Sequence, residues 1–183
     1  MLLPVVLPDL FSADDCARIV AMAGAAEMEE ARLVGGRAVA EKRRARLSWL
    51  DDEGEAAWVM ARMMRAIADA NRAAYGFDIE AFEERAQVAL YEDSVGGGFD
   101  WHSDVGDGPL ARRRKLTVVV QLSGDADYEG GTLEVNSDGT VREAPRLQGT
   151  GLAFPSFALH RVAPVTRGRR WSLTLWAHGA PFR

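Results

Sequence analysis

Three side chains able to bind a metal stand in an order that suits a single ion. His102 lies two residues before Asp104 in the run Trp101-His102-Ser103-Asp104, and His160 follows 56 residues later. The stretch around His102 alternates like a strand, which places Asp100, His102 and Asp104 on one face and Phe99 and Trp101 on the other. One imidazole and one carboxylate side by side, joined by a second imidazole from elsewhere, make a 2-His-1-carboxylate site. That arrangement leaves positions open on the ion, and non-haem Fe(II) oxygenases use them for cosubstrate and O2.

Taken singly, each residue has a plainer role. Asp104 can form a turn, and His160 can end a strand with its ring on a backbone carbonyl. Arg170, ten residues beyond His160, can make a salt bridge on a rim. The same triad holding Zn2+ would serve a hydrolytic or isomerising enzyme. A jelly-roll binding module without catalysis would need no metal at all.

The elements that must position these residues come next. With 183 residues, 48% of them hydrophobic, the chain can bury one substantial core. A net charge of -5 argues against general binding to nucleic acid or an anionic membrane surface. Cys16 is the one cysteine, so no internal disulfide forms, and a reducing cytoplasm is the expected location. The apolar start, Met1 to Pro8, has no basic head and two prolines, and reads as an edge strand rather than a signal peptide. No apolar run is long enough to cross a bilayer.

Ser12 and Asp15 form a capping-box pattern ahead of an apolar stripe, Cys16, Ile19, Val20 and Ala23, with Gly24 as the expected stop. A second helix is expected from about Glu53 to Tyr75, started by Asp51 or Asp52, with Met60, Met64, Ile67, Asn71 and Ala74 on its inner face. Between them, Arg32 to Val34 reads as extended, Gly35-Gly36 as a turn, and the charge run Glu41 to Arg46 as a solvated face. Trp49 reads as core.

Short strands follow. Ala86 to Glu92 alternates, with Gln87, Ala89 and Tyr91 on one face, and Gly96-Gly97-Gly98 permits a tight bend before the strand of His102. Leu116 to Leu122, Thr132 to Asn136, Thr140 to Ala144, Gly149 to Phe154 and Arg169 to Trp176 complete the set, with Ser137-Asp138-Gly139 as a hairpin turn. Helices first and then many short strands mean α+β, with the strands closing as a sandwich or jelly roll. In the last strand Arg170 begins a face shared with Ser172, Thr174 and Trp176. His178 lies past that strand and reads as a surface residue.

From Gln87 to Trp176 the sequence resembles the Fe(II)/2-oxoglutarate-dependent dioxygenases, in the prolyl-4-hydroxylase-like branch that includes the PKHD-type hydroxylases. His102-x-Asp104 and His160 match that family's metal ligands, and Arg170 its 2-oxoglutarate anchor. The phrase from His160 to Trp176, Glu129-Gly130-Gly131 and Phe154-Pro155 also carry the likeness. Tyr91 stands where the family often sets a tyrosine against the cosubstrate.

The resemblance implies a double-stranded β-helix (jelly roll) core with the N-terminal helices packed against the sheet. It implies one dioxygenase domain over 1–183, in which 1–85 is helical support and 86–178 carries the site. The implied ligands are Fe(II), 2-oxoglutarate and O2, with ascorbate as a supporting reductant. Two neutral imidazoles and one carboxylate cancel only one charge of the ion, so a dianionic cosubstrate can still chelate. An arginine fork suits the far carboxylate, and Ser172 could add a donor. The implied reaction releases succinate and CO2 and hydroxylates an amino acid, peptide or other small-molecule substrate, proline included. Asp104 favours hydroxylation over halogenation, since halogenating members have a small residue there. Asp100 is read as a partner for His102 or a substrate contact. The walls of the mouth fall to Val34–Trp49 and Val105–Arg114, whose arginines point to an acidic substrate.

Overall fold

A capping box starts the first helix. In the computed structural model, which describes residues 2–30 and 43–182, the Ser12 hydroxyl accepts from the Asp15 N–H and the Asp15 carboxylate accepts from the Ser12 N–H. Helix α1 (Ala13–Ala25) then buries Cys16, Ile19 and Ala23. Gly24 stays inside the helix, which ends one residue later on an extended Ala26. The Arg62 guanidinium, 2.6 Å from the Asp15 carboxylate, ties the start of α1 to the next helix and holds that carboxyl below its usual value. Removing the cap in Ser12→Ala should cost about 1 kcal/mol. A urea melt would show this as a lower midpoint at unchanged slope.

Helix α2 (Ala57–Ala70) begins without a side-chain cap. A 3-10 turn, Gly54–Ala56, leads directly into it, so neither Asp51 nor Asp52 caps it as expected. Its buried face is Val59, Met60, Met63, Ile67 and Ala70, while Met64 is 37% exposed. The inner stripe therefore runs 60, 63, 67, 70, and the expected residues Met64, Asn71 and Ala74 fall outside it. A π turn, Asn71–Tyr75, closes the helix on Gly76, whose φ of 66° belongs to the left-handed region.

Thirteen strands accompany these helices among the described residues: β1 (Val5–Leu7), β2 (Glu29–Glu30), β3 (Arg43–Arg44), β4 (Arg46–Leu50), β5 (Ala86–Glu92), β6 (Gly98–His102), β7 (Arg114–Gln121), β8 (Tyr128–Gly130), β9 (Leu133–Asn136), β10 (Val141–Glu143), β11 (Gly151–Pro155), β12 (Leu159–Val162) and β13 (Val165–His178). The larger sheet runs β1-β11-β7-β13-β5-β4-β2, with β8 also on β13, and the smaller runs β10-β9-β12-β6-β3. Every pairing between these strands is antiparallel. Between the sheets pack Ala89, Tyr91, Leu133, Val135, Phe154 and Val162. On the outer face of the larger sheet, Val88, Val118, Val120, Leu173 and Leu175 meet both helices. Period-two alternation thus gives each central strand an apolar face toward the helices, while the face toward the barrel interior is apolar on β5 and largely polar on β7 and β13. The result is the expected α+β jelly roll.

Some expectations need amendment. The first 85 residues supply both helices but also β1, β2 and β4 to the larger sheet and β3 to the smaller. The last strand is longer than its apolar run and takes in His178. Arg32 to Glu41, with the Gly35-Gly36 turn, lies outside the described residues, as does the first part of the Val34–Trp49 wall. The bend before β6 is as tight as its glycines suggest: a Cβ on Gly97 would sit 2.5 Å from the Glu92 nitrogen. Among the described residues, no helix is long and apolar enough to cross a membrane.

Candidate active site

Strand pairing closes the distance between the two histidines. β12 lies antiparallel to β6 with His160 directly opposite His102, and their ring centroids are 4.1 Å apart. Each ring uses Nδ1 in the same way. That nitrogen of His102 lies 2.7 Å from the Asp100 carbonyl, and that of His160 lies 3.0 Å from the Ala158 carbonyl. A carbonyl only accepts, so both Nδ1 atoms carry the proton and both Nε2 lone pairs are free for an ion. The backbone carbonyl of Asp100, rather than its carboxylate, therefore orients His102. The Asp100 carboxylate accepts from the Trp101 N–H instead.

Asp104 sits just past β6, where the chain has left the sheet. Its Oδ1 is 3.8 Å from His102 Nε2 and its Oδ2 is 3.6 Å from His160 Nε2. The three potential ligand atoms all lie within 4.8 Å of one another. Expected alternation fails at one place nearby. Between the His160–His102 and Val162–Phe99 pairs, β6 carries an extra residue. That bulge turns Phe99 to the side of His102, and the two rings stack at 3.5 Å.

The surroundings favour a neutral His102 imidazole and a charged Asp104 carboxylate. Burial, reinforced by the neighbouring His160, pushes the His102 imidazole down to about 4. Burial alone would raise the Asp104 carboxyl, but His160, His102, Arg114 and the Trp176 N–H together hold it below the usual value. Such a donor set fits a divalent cation of intermediate softness. Asp104 Oδ2 also accepts from the Thr117 hydroxyl at 2.8 Å and from Trp176 Nε1 at 3.0 Å.

Deeper between the sheets lies the expected anchor. Arg170 is 2% exposed and pairs across the sheet with Tyr91, whose ring centroid is 5.5 Å from the guanidinium carbon. Its Nε donates to Gln121 Oε1 at 3.1 Å, while its Nη1 is buried without a partner among the described residues. Arg170 lines a cavity with Gln121, Tyr128, Leu133, Thr150 and Leu152. The Thr150 hydroxyl is likewise buried and unpartnered. A planar anion with oxygens to share would satisfy both. Ser172 is buried on the same strand face as Arg170, yet it does not line this cavity.

Several readings change here. His178 is fully buried, the last residue of β13, with Nε2 2.9 Å from the Glu84 carboxylate and Nδ1 accepting from the Glu83 N–H at 3.3 Å. Extending the strand by two residues moved it from surface to core. Arg43 turns inward rather than lying on a solvated face: it donates to Gln87 at 2.6 Å and covers the Phe99 ring at 4.8 Å. In the Val105–Arg114 wall, Arg113 binds Glu80 and Glu83, and Arg114 binds Glu84. Those two arginines are thus committed to the protein's own carboxylates, which removes them as support for an acidic substrate. Trp49 is half-buried beside Trp176, with centroids 6.4 Å apart. Thr117, Gln121 and Thr150 were missed in the sequence. The first two stand at period two within the apolar run Leu116 to Leu122, a polar face inside a buried strand.

Two facing antiparallel sheets with an inward His-Asp-His cluster and a buried guanidinium define a jelly-roll protein built around a metal site. The chain belongs to the 2OG-Fe(II) oxygenase superfamily, whose family model matches residues 86–178. Curated PKHD-type hydroxylases are similar to it. The one from Pseudomonas paraeruginosa is 27% identical over 93% of this chain and 76% of its own length. The one from Pseudomonas fluorescens is 33% identical over 45% of this chain and 39% of its own length, and that of Sphingopyxis alaskensis 45% identical over 35% and 28%. The matched segments thus span well under half of these last two relatives. Among solved structures, a Pseudomonas putida prolyl-4-hydroxylase has a TM-score of 0.76 at 24% identity, covering 97% of this chain and 93% of its own. A prolyl hydroxylase from Trichoplax adhaerens, in complex with a hypoxia inducible factor oxygen degradation domain peptide fragment, has a TM-score of 0.78 at 18% identity over 96% and 83%. Both share the fold.

Proposed function

We propose that the chain is an Fe(II)- and 2-oxoglutarate-dependent dioxygenase that hydroxylates a C–H bond of an amino acid or peptidyl substrate, prolyl included, and releases succinate and CO2. Its metal ligands are His102, Asp104 and His160. The observation that carries this reading is the pair of Nε2 atoms and one carboxylate facing a common point, each imidazole aimed by its own backbone carbonyl. When bound, the ferrous ion and cosubstrate supply the oxidising chemistry.

The rest falls to the protein's own side chains. Arg170 receives the far carboxylate of 2-oxoglutarate, with Gln121 holding its Nε so that Nη1 is presented to the cavity. Thr150 adds a hydroxyl from the cavity wall, while Tyr91, which does not line the cavity, stands against the guanidinium and Ser172 shares its strand face. The single domain carries this site within residues 86–178. The peptide bound to the Trichoplax adhaerens relative supports a peptidyl substrate, and the lone buried Cys16 supports a reducing, cytoplasmic setting.

Anaerobic loading with Fe(II) and 2-oxoglutarate, followed by O2 and a panel of amino acids and peptides, tests the proposal through succinate release. Stimulation by one class of candidate identifies the substrate, and no iron-dependent succinate from any would refute it. Arg170→Ala should weaken 2-oxoglutarate binding by roughly 10- to 100-fold, the range for losing charged hydrogen bonds. Titration of cosubstrate would show it as a raised KM.

A further inference from the structure

We infer that Trp176 and Thr117 are positioning residues for Asp104, holding its carboxylate so that Oδ1 is the oxygen left for the metal. This rests on the ligand reading above and adds to it. Every polar atom of Asp104 except Oδ1 has a hydrogen bond among the described residues. Its N–H donates to the Ser156 carbonyl at 2.9 Å, and its carbonyl accepts from Arg114 at 3.2 Å. Its Oδ2 takes both the Thr117 hydroxyl and the Trp176 indole N–H. Two donors on one oxygen stop the carboxylate from rotating about its last bond, which matters because Asp104 lies beyond β6 and no ladder fixes it.

Both donors are themselves locked. Thr117 Oγ1 gives its proton to Asp104, so the Ser156 hydroxyl, 3.0 Å away, is the donor to Thr117. The Trp176 ring, 5% exposed, lies under the Arg114 guanidinium at 4.0 Å. Arg114 in turn grips both oxygens of Glu84, and the far side of Glu84 takes the His178 Nε2 proton. Since His178 Nδ1 accepts from a backbone N–H, its Nε2 must be the donor. A chain of contacts thus runs from the buried His178 through the half-buried Glu84 and Arg114 and the buried Trp176 to Asp104, and uses the one histidine that takes no part in the metal site. Groups that orient a ligand in this way typically govern metal affinity as well as geometry.

The test is Co(II) binding to the full chain by competition with a chromogenic chelator, with thermal melts run in parallel. Wild type should bind one Co(II) per chain. Trp176→Phe and Thr117→Val should each bind it about 10- to 100-fold more weakly, and Thr117→Ser, which restores the hydroxyl, should return to near the wild-type affinity. A residue that merely packs would shift the melt and leave affinity alone. Unchanged affinity in both variants overturns the inference, as does a Thr117→Ser protein no better than Thr117→Val. If Trp176→Phe does not fold, the two Thr117 variants decide. A wild type that binds no Co(II) would remove the ligand reading itself, which separates that failure from this one.

Discussion

Asp104→Ala is expected to abolish iron-dependent 2-oxoglutarate turnover. The carboxylate is the one anionic group in the cluster, and the two imidazoles facing it are neutral when free to bind. Without it a ferrous ion would have two neutral nitrogen ligands and no charge compensation, in a pocket where His102 and His160 are largely shielded from water. The loss should exceed the 10- to 100-fold range expected for a supporting residue. Asp104→Asn, which keeps the shape and can still accept from Thr117 and Trp176, should lose turnover as well, because charge rather than packing is what the ion lacks. Succinate production with and without iron measures both variants. Turnover within tenfold of wild type in Asp104→Ala would show that the metal lies elsewhere.

Glu84→Ala should be the most destabilising single change outside the apolar core. Glu84 is a half-buried carboxylate whose oxygens answer Arg114 and His178. Truncation takes both carboxylate contacts from the half-buried Arg114 guanidinium, leaving it the Asp104 carbonyl and the Trp176 ring, and strands the buried His178 N–H, a loss of about 3–5 kcal/mol. For a chain of this size that corresponds to a fall in Tm of roughly 6 to 20 °C. The pH dependence has a definite sign. Burial by itself raises the Glu84 carboxyl, but the hydrogen bonds from Arg114 and His178 outweigh it and hold the group below its ordinary value of 4.5. A carboxyl depressed on folding stabilises the native state above its unfolded value and loses that contribution as pH falls through the folded one. The stability gap between wild type and Glu84→Gln should therefore be full at neutral pH and narrow below about pH 4.5. Urea midpoints across that range would check it, and a gap that widens in acid would contradict the assigned role.

Much of the site was legible because its chemistry requires particular residue types at particular separations. His102, Asp104, His160 and Arg170 could be named from spacing and family likeness, and the structure brings the three candidate ligands together and buries Arg170. What stayed hidden depended on pairing. The bulge that turns Phe99 onto His102 arises where β6 and β12 slip in register, and no local pattern in β6 announces it. His178 looked peripheral because the apolar run stops at Trp176, whereas β13 keeps its partner β7 for two residues more. On α2, Met60 and Ile67 face inward as expected, but Met63 rather than Met64 joins them, because both are apolar and only the neighbouring sheet decides between them. Arg113 and Arg114 looked like free positive charge because their carboxylate partners lie some thirty residues upstream.

A crystal grown without oxygen in the presence of Fe(II) and 2-oxoglutarate, with data collected at the iron absorption edge, puts the whole proposal at stake. One anomalous peak per chain is expected, at bonding distance, about 2 Å, from Nε2 of His102, Nε2 of His160 and Oδ1 of Asp104. A peak bound by other side chains, or no peak in the presence of excess Fe(II), would contradict it.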